Sequence, residues 1–158
     1  MEQPGKRVAD SRVTLSAMMR PKDTNSRGNV HGGVIMKMVD EAAGLAAMRH
    51  ACRPVVTVAV DSMTFMHPVH VGMVVFCNAE LTYTGRTSME VRVEVIAEDP
   101  IQACSVVTNT AYLVFVALDD TGKPAPVLPL RYENDEQRLR AQRAQERQAY
   151  RIQQRSKG

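Results

Sequence analysis

One carboxylate stands out in the segment Val34 to His50, which reads VIMKMVDEAAGLAAMRH. Asp40 lies in the middle of a run that is apolar except for Lys37, Glu41 and the basic end at Arg49-His50. A carboxylate so placed must reach water, find a partner, or accept a desolvation that raises its pKa. Lys37 can pair with it at i,i+3, or pair with Glu41 at i,i+4 and leave both acids facing solvent. Asp40 and Glu41 point about 100° apart around a helix axis, so only one of them shares the outward face of Lys37 comfortably. The other is expected on a drier side. A second feature is the loop Asn25-Ser26-Arg27-Gly28-Asn29-Val30-His31-Gly32-Gly33 that runs into this segment. Two glycines at a helix start leave backbone amides uncovered at the positive pole, where an anion or a polarised carbonyl oxygen binds. The chemistry this suggests is an oxyanion hole; a tight glycine turn that packs the helix against a strand is the plainer alternative. His31 in isolation reads as a capping or hydrogen-bonded structural histidine.

Asp40 follows His31 by nine residues, which along a helix is on the order of 13 Å. One chain therefore cannot bring the carboxylate to its own Gly-Gly terminus. If both serve one site, Asp40 of one chain must meet the Asn25 and Gly33 region of another, with the two helices antiparallel in a dimer.

The elements that position these residues follow from composition and pattern. The chain has 158 residues, 44% of them apolar and 23% charged, which suits one soluble globular domain and excludes wholesale disorder or a disulfide-stapled miniprotein. No apolar run reaches the roughly 18 residues of a membrane span. The opening MEQPGKRVAD lacks a signal-like apolar stretch, so a cytoplasmic location is expected. Cys52, Cys77 and Cys104 are odd in number and far apart, and read as buried thiols of a reducing compartment rather than as bridges or metal ligands.

Val34 to His50 is long, alanine-rich and basic at its end, as a helix should be; being apolar almost all round, it is expected to be central and wrapped by other elements. The wrapping follows in Pro54 to Met66, Met73 to Thr84, Thr87 to Ala97 and Ser105 to Leu118, rich in β-branched and aromatic residues and separated by turn signals. In Glu90-Val91-Arg92-Val93-Glu94-Val95 the alternation predicts one wet and one dry face. With a first strand over Ser11 to Met19, the reading is an α+β domain over residues 1–130, a curved antiparallel sheet around one helix. Residues 131–158 carry eight bases against four acids and form a basic C-terminal helical tail, expected to be mostly solvated and loosely docked. An Arg-rich helix can also attract nucleic acid, but that reading is not favoured.

Asn25-x-x-Gly28-Asn29-Val30-His31-Gly32-Gly33, Asp40-Glu41-Ala42 seven residues on, Val58-Ala59-Val60-Asp61 and Tyr83-Thr84-Gly85-Arg86-Thr87-Ser88-Met89-Glu90 together resemble the hotdog-fold acyl-CoA thioesterases, specifically the cytosolic acyl-CoA hydrolase group. The resemblance spans roughly residues 11 to 130. It implies a hotdog fold, a homodimer as the minimal active unit and a trimer of such dimers as the hexamer. It further implies hydrolysis of acyl-CoA to free CoA and a fatty acid. In that family an acid at the position of Asp40 acts as general base or nucleophile, and an asparagine at the position of Asn25 holds water or substrate. Amides around Gly32 and Gly33 would face the oxyanion, with His31 shaping the loop, and Arg86, Thr87 and Ser88 would lie along the CoA moiety. Asp61 matches a family position and is expected to be structural. No metal or cofactor is implied, CoA being part of the substrate. The alternatives are a hotdog dehydratase of 3-hydroxyacyl thioesters, with His31 as base, and a non-catalytic acyl-CoA or nucleotide sensor.

Overall fold

The computed structural model describes residues 4–158; Met1 to Gln3, the start of the opening segment read above, lie outside the described residues. A two-residue strand β1 (Lys6–Arg7) leads through a short 3-10 turn to β2 (Val13–Met18). Helix α1 spans Gly32–Ala51, followed by β3 (Val55–Val60), β4 (Val74–Thr84), β5 (Ser88–Asp99) and β6 (Cys104–Ala117). A second two-residue strand, β7 (Leu130–Arg131), pairs with β1, and α2 (Asp135–Lys157) closes the chain. The main sheet has the order β2-β4-β5-β6-β3, antiparallel throughout, so β2 and β3 are its edges.

Alternation in β5 sends Met89, Val91, Val93, Val95 and Ala97 inward, where all are fully buried. Leu113 and Phe115 of β6 join them. Against this surface lies a face of α1 made of Ile35, Val39, Ala42, Ala43, Ala46 and Ala47. Its residues are small where the sheet is bulky: a Cβ on Gly44 would stand 3.5 Å from the Phe115 ring, ordinary contact distance. The helix ends where Cys52 adopts a left-handed conformation (φ 52°) and its N–H bonds the Met48 carbonyl. Lys6 Nζ donates to the Arg49 and His50 carbonyls at 3.1 and 2.8 Å, a cation on the negative helix pole.

Four expectations are corrected. The strand expected over Pro54 to Met66 stops at Val60, beyond which Asp61 and Met66 each donate a backbone N–H to β6, to the Tyr112 and Thr108 carbonyls. Helix α1 is not wrapped all round: the sheet covers one face, and Met36 and Met48 on another are 47% and 42% exposed. Of the three cysteines only Cys77 is buried, its thiol pushed up to about 11 by desolvation; Cys52 and Cys104 are exposed.

The fourth correction concerns α2, which is firmly docked on the outer face of the sheet. Asn134 caps it, accepting from the Gln137 N–H, and its own Ala141 and Ala144 are buried. Its main anchor is Glu90, on the face expected to be wet yet only 2% exposed. Arg147 grips this carboxylate with two nitrogens at 3.0 and 2.7 Å, Arg151 reaches it at 3.4 Å, and Thr82 donates its hydroxyl at 2.6 Å. Thr82 faces Glu90 because the β4–β5 register shifts between Leu81 and Tyr83, which leaves Thr82 as the extra residue of a bulge. The Arg147 guanidinium also lies 3.8 Å from the centre of the Tyr112 ring. Arg151 bonds both oxygens of Asp61 at 3.0 and 2.8 Å, and Arg140 holds Glu80. Sequence composition hid this because the acids come from β4, β5 and the residue just after β3, 57 to 90 residues away from their arginines.

Truncating one partner of a buried charge network leaves the others unpaired, which is costly. Glu90→Gln should therefore lower unfolding stability by about 2–4 kcal/mol and raise amide exchange along α2. Denaturant melts and hydrogen exchange check this; unchanged melts and protection would show that the anchor lies elsewhere.

Candidate active site

Asp40 sits eight residues into α1 from Gly32, on its open side, and is exposed in the single chain. The expectation that one of the two acids would point somewhere drier is not met within one chain, because the sheet covers the opposite face of the helix. Lys37 pairs with Glu41 at 3.8 Å, both side chains well exposed, and Asp40 has no cation partner among the described residues. Its partner is instead Thr57, whose hydroxyl donates to Asp40 Oδ1 at 2.8 Å. Thr57 is the residue that the sequence reading missed. It lies on β3 next to the point where the β3–β6 register skips Val58, and the alternation of the strand puts it with Val55 and Ala59 on the half-buried face. With Oδ1 held, Asp40 keeps an Oδ2 that has no partner among the described residues and can accept a hydrogen bond from outside the chain.

The loop before α1 is built by Asn25. Its Oδ1 accepts the N–H groups of Arg27 (2.9 Å) and Asn29 (3.2 Å), and its backbone bonds Asn29 and Gly28. Gly28 takes φ +80°, which suits glycine in this tight loop. The two Asn25 side-chain N–H donors have no partner among the described residues and remain available to a ligand. His31 occupies the N-cap of α1 without a side-chain capping bond, and its carbonyl accepts from Val34. The capping role considered for it is thus carried by its backbone, and its imidazole is exposed.

Gly32 and Gly33 form the first turn of α1, two residues earlier than the predicted start, and their amides have no intrahelical acceptor. Gly32 lies beside the Phe65 ring, where a Cβ would stand at 3.4 Å. A Cβ on Gly33 would meet nothing within 4 Å, and its backbone is helical. Packing within the chain therefore does not require glycine at position 33. Gly33, Met36 and Asp40 lie three and four residues apart, on one open stripe of the helix. The amide terminus and the acid are still about 12 Å apart along the axis, and the chain does not join Asn25 to Asp40.

Arg86 and Thr87 lie in the β4–β5 turn, and Ser88 opens β5. The Arg86 and Thr87 carbonyls accept from Val127 and Ala117, and the Ser88 carbonyl accepts from Gly85. The Arg86 side chain is exposed and unpaired among the described residues, and the turn stands apart from the Asn25 loop in the sequence and the sheet.

Residues 27–104 match the thioesterase superfamily. The uncharacterized acyl-CoA thioester hydrolase YkhA of Bacillus subtilis is 36% identical over 152 residues, covering 93% of this chain and 88% of that protein. The chain belongs to the acyl-CoA thioester hydrolases of the hotdog fold. The cytosolic acyl coenzyme A thioester hydrolase of Mus musculus is 37% identical over 84% of this chain, which spans 38% of that longer protein. Among solved structures, the Staphylococcus aureus acyl-CoA hydrolase, in complex with butyryl coenzyme A and coenzyme A, superposes with TM-score 0.86 at 34% identity over 98% of this chain and 96% of its own. Three single-alanine variants of that enzyme alter an asparagine, an aspartate fifteen residues later and a threonine seventeen residues beyond that. A hexameric acyl-CoA thioesterase superposes with TM-score 0.91 at 34% identity over 97% of both chains.

Because nothing in the chain crowds Gly33, Gly33→Ala should fold normally, with stability equal to or up to about 1 kcal/mol above the parent. Thermal unfolding tests it: a clear loss of stability would mean that the glycine is structural, whereas unharmed folding assigns any loss of activity in this variant to the site.

Proposed function

We propose that the protein hydrolyses acyl-CoA thioesters to CoA and a carboxylic acid, using Asp40 as general base or nucleophile. The observation that carries this is the Asp40–Thr57 pair on the open stripe of α1 that also bears the uncovered Gly33. One carboxylate oxygen is fixed by a hydroxyl and the other is free, as a base or nucleophile requires. The spacing of Asn25, Asp40 and Thr57, fifteen and seventeen residues, equals that of the three residues altered in the Staphylococcus aureus enzyme, which supports the same set acting here. A water whose proton passes to Asp40 would attack the carbonyl carbon. A C–O bond forms, the C–S bond breaks, and the thiolate leaves as the CoA thiol with a proton. In the nucleophile variant, Asp40 forms the C–O bond first and water cleaves the resulting anhydride. The first-turn amides of α1 stabilise the oxyanion, and the side-chain N–H groups of Asn25 hold the water or the carbonyl.

The site is completed by a second copy. Asp40 and the amide terminus face outward about 12 Å apart, so Asp40 of one protomer meets Asn25 and Gly33 of its partner. The unpaired edge of β3 supports this: Val56, Val58 and Val60 on it are all more than 40% exposed, an apolar surface that suits burial against another chain. The hexameric relative supports a trimer of such dimers. Arg86, Thr87 and Ser88 serve the CoA moiety. A cytoplasmic location is in keeping with the cytosolic name of the mouse relative, and no helix among the described residues is long and apolar enough to cross a membrane.

Thiol release over acyl-CoAs of graded chain length tests the assignment. Asp40→Asn should lower the rate by at least about 10²-fold at every length with the fold unchanged. Full activity in this variant would overturn it.

A further inference from the structure

Arg147, Arg151 and Arg155 recur at every fourth residue of α2 and so fall on one stripe of the helix. The first grips Glu90 and the second grips Asp61. The third is exposed and has neither hydrogen bond nor ion pair among the described residues. It lines, with Arg151, a cleft of about 200 Å³ between α2 and the outer face of the sheet. Ser88, Tyr83, Gln148 and Val116 form other parts of its wall. Glu90 is the acid that lines this cleft, and its carboxylate is already taken up by Arg147 and Arg151. Arg86, two residues before Ser88, likewise has a guanidinium without a partner among the described residues. The cleft thus combines an apolar floor, hydroxyl donors and uncompensated guanidinium charge, which is the chemistry that receives a phosphate group.

The attachment of α2 fits this use. The helix has few apolar contacts, with Leu139, Tyr150 and Ile152 largely exposed, and is held instead by forked guanidinium–carboxylate pairs. Such pairs fix both rotation and axial register, which apolar contact alone would leave free to slide. That register sets Arg155 one turn beyond Arg151, over the cleft. The cleft opens beside Val58 and Ala59, next in sequence to Thr57, which holds Asp40.

We infer that α2 is part of the substrate site, and that Arg155 joins the Arg86 and Ser88 already proposed for the CoA moiety by receiving a phosphate at the nucleotide end of coenzyme A. This rests on the proposed acyl-CoA hydrolysis for the identity of the ligand. Calorimetric titration of the full chain with CoA, with pantetheine and with adenosine 3′,5′-bisphosphate tests it without needing turnover. Arg155→Gln, a change at an exposed and unpaired side chain, should weaken CoA about five- to tenfold and leave pantetheine unaffected, while its unfolding midpoint stays that of the parent. Unchanged CoA affinity would overturn the inference. So would an equal loss for CoA and pantetheine, which would point to altered shape rather than lost phosphate contacts. If Arg155 matters to the bisphosphate but not to CoA, a separate nucleotide is the ligand and the assignment to substrate falls. Arg155-dependent CoA binding in a protein that releases no thiol from acyl-CoA would leave this inference standing and remove the proposed hydrolysis.

Discussion

The structure turns on one hydrogen bond, from Thr57 to Asp40 at 2.8 Å, made on the side of α1 that the sheet does not cover. Helix α1 can be gripped on only one face by a sheet of this curvature, and its alanines and Gly44 let that grip be close. The opposite stripe then carries everything that core packing does not need: an uncovered amide terminus at Gly33, the apolar Met36, and a carboxylate with no cation partner among the described residues. A chain that leaves such groups outward on a rigid helix has them fixed in direction but not assembled. On the proposed reading, pairing two copies does the assembly, and each site takes its acid from one helix and its amide donors from the other.

The outer face of the sheet follows a different logic. There α2 is held by carboxylates from β4, β5 and the residue just after β3 rather than by a greasy seam, and Glu90 at the centre of that network is as buried as a core valine. Burying a carboxylate is costly unless it is surrounded by donors, and Glu90 is met by two arginines and a threonine hydroxyl. Directional pairing of this kind sets where each residue of α2 stands. The tail is therefore part of the architecture around the β4–β5 turn, and the basic pI of the chain reflects a built surface rather than a loose extension.

Much of this was legible in the sequence. The five main strands, the central helix and their order follow from period-2 and alanine-rich patterns, and the glycines before Val34 mark the helix start to within two residues. Elements set by local periodicity are readable because their cause is local. What escaped depends on contacts far apart in the chain. Thr57 looks like any strand threonine until the fold brings its hydroxyl to Asp40 on α1. Glu90 obeys the alternation that predicts an outward face, yet α2 seals that face from 57 residues away. The end of β3 at Val60 was also missed, because Met63, Phe65 and Met66 keep a strand-like composition after the sheet pairing has stopped. The loop residues Asn25, His31, Gly32 and Gly33 were singled out by type and spacing, but the unforced glycine at position 33 is visible only in three dimensions.

The central claim is that Asp40 and the Asn25 loop act across two copies of the chain. Refolded mixtures of Asp40→Asn and Asn25→Ala protomers, each inactive alone, address it most directly through thiol release from an acyl-CoA. Mixed dimers contain one intact acid facing one intact loop, so recovery of up to about one quarter of the parent activity is expected, from half the dimers being mixed and one site in each of these being whole. No recovery in dimers verified to be mixed would contradict the account.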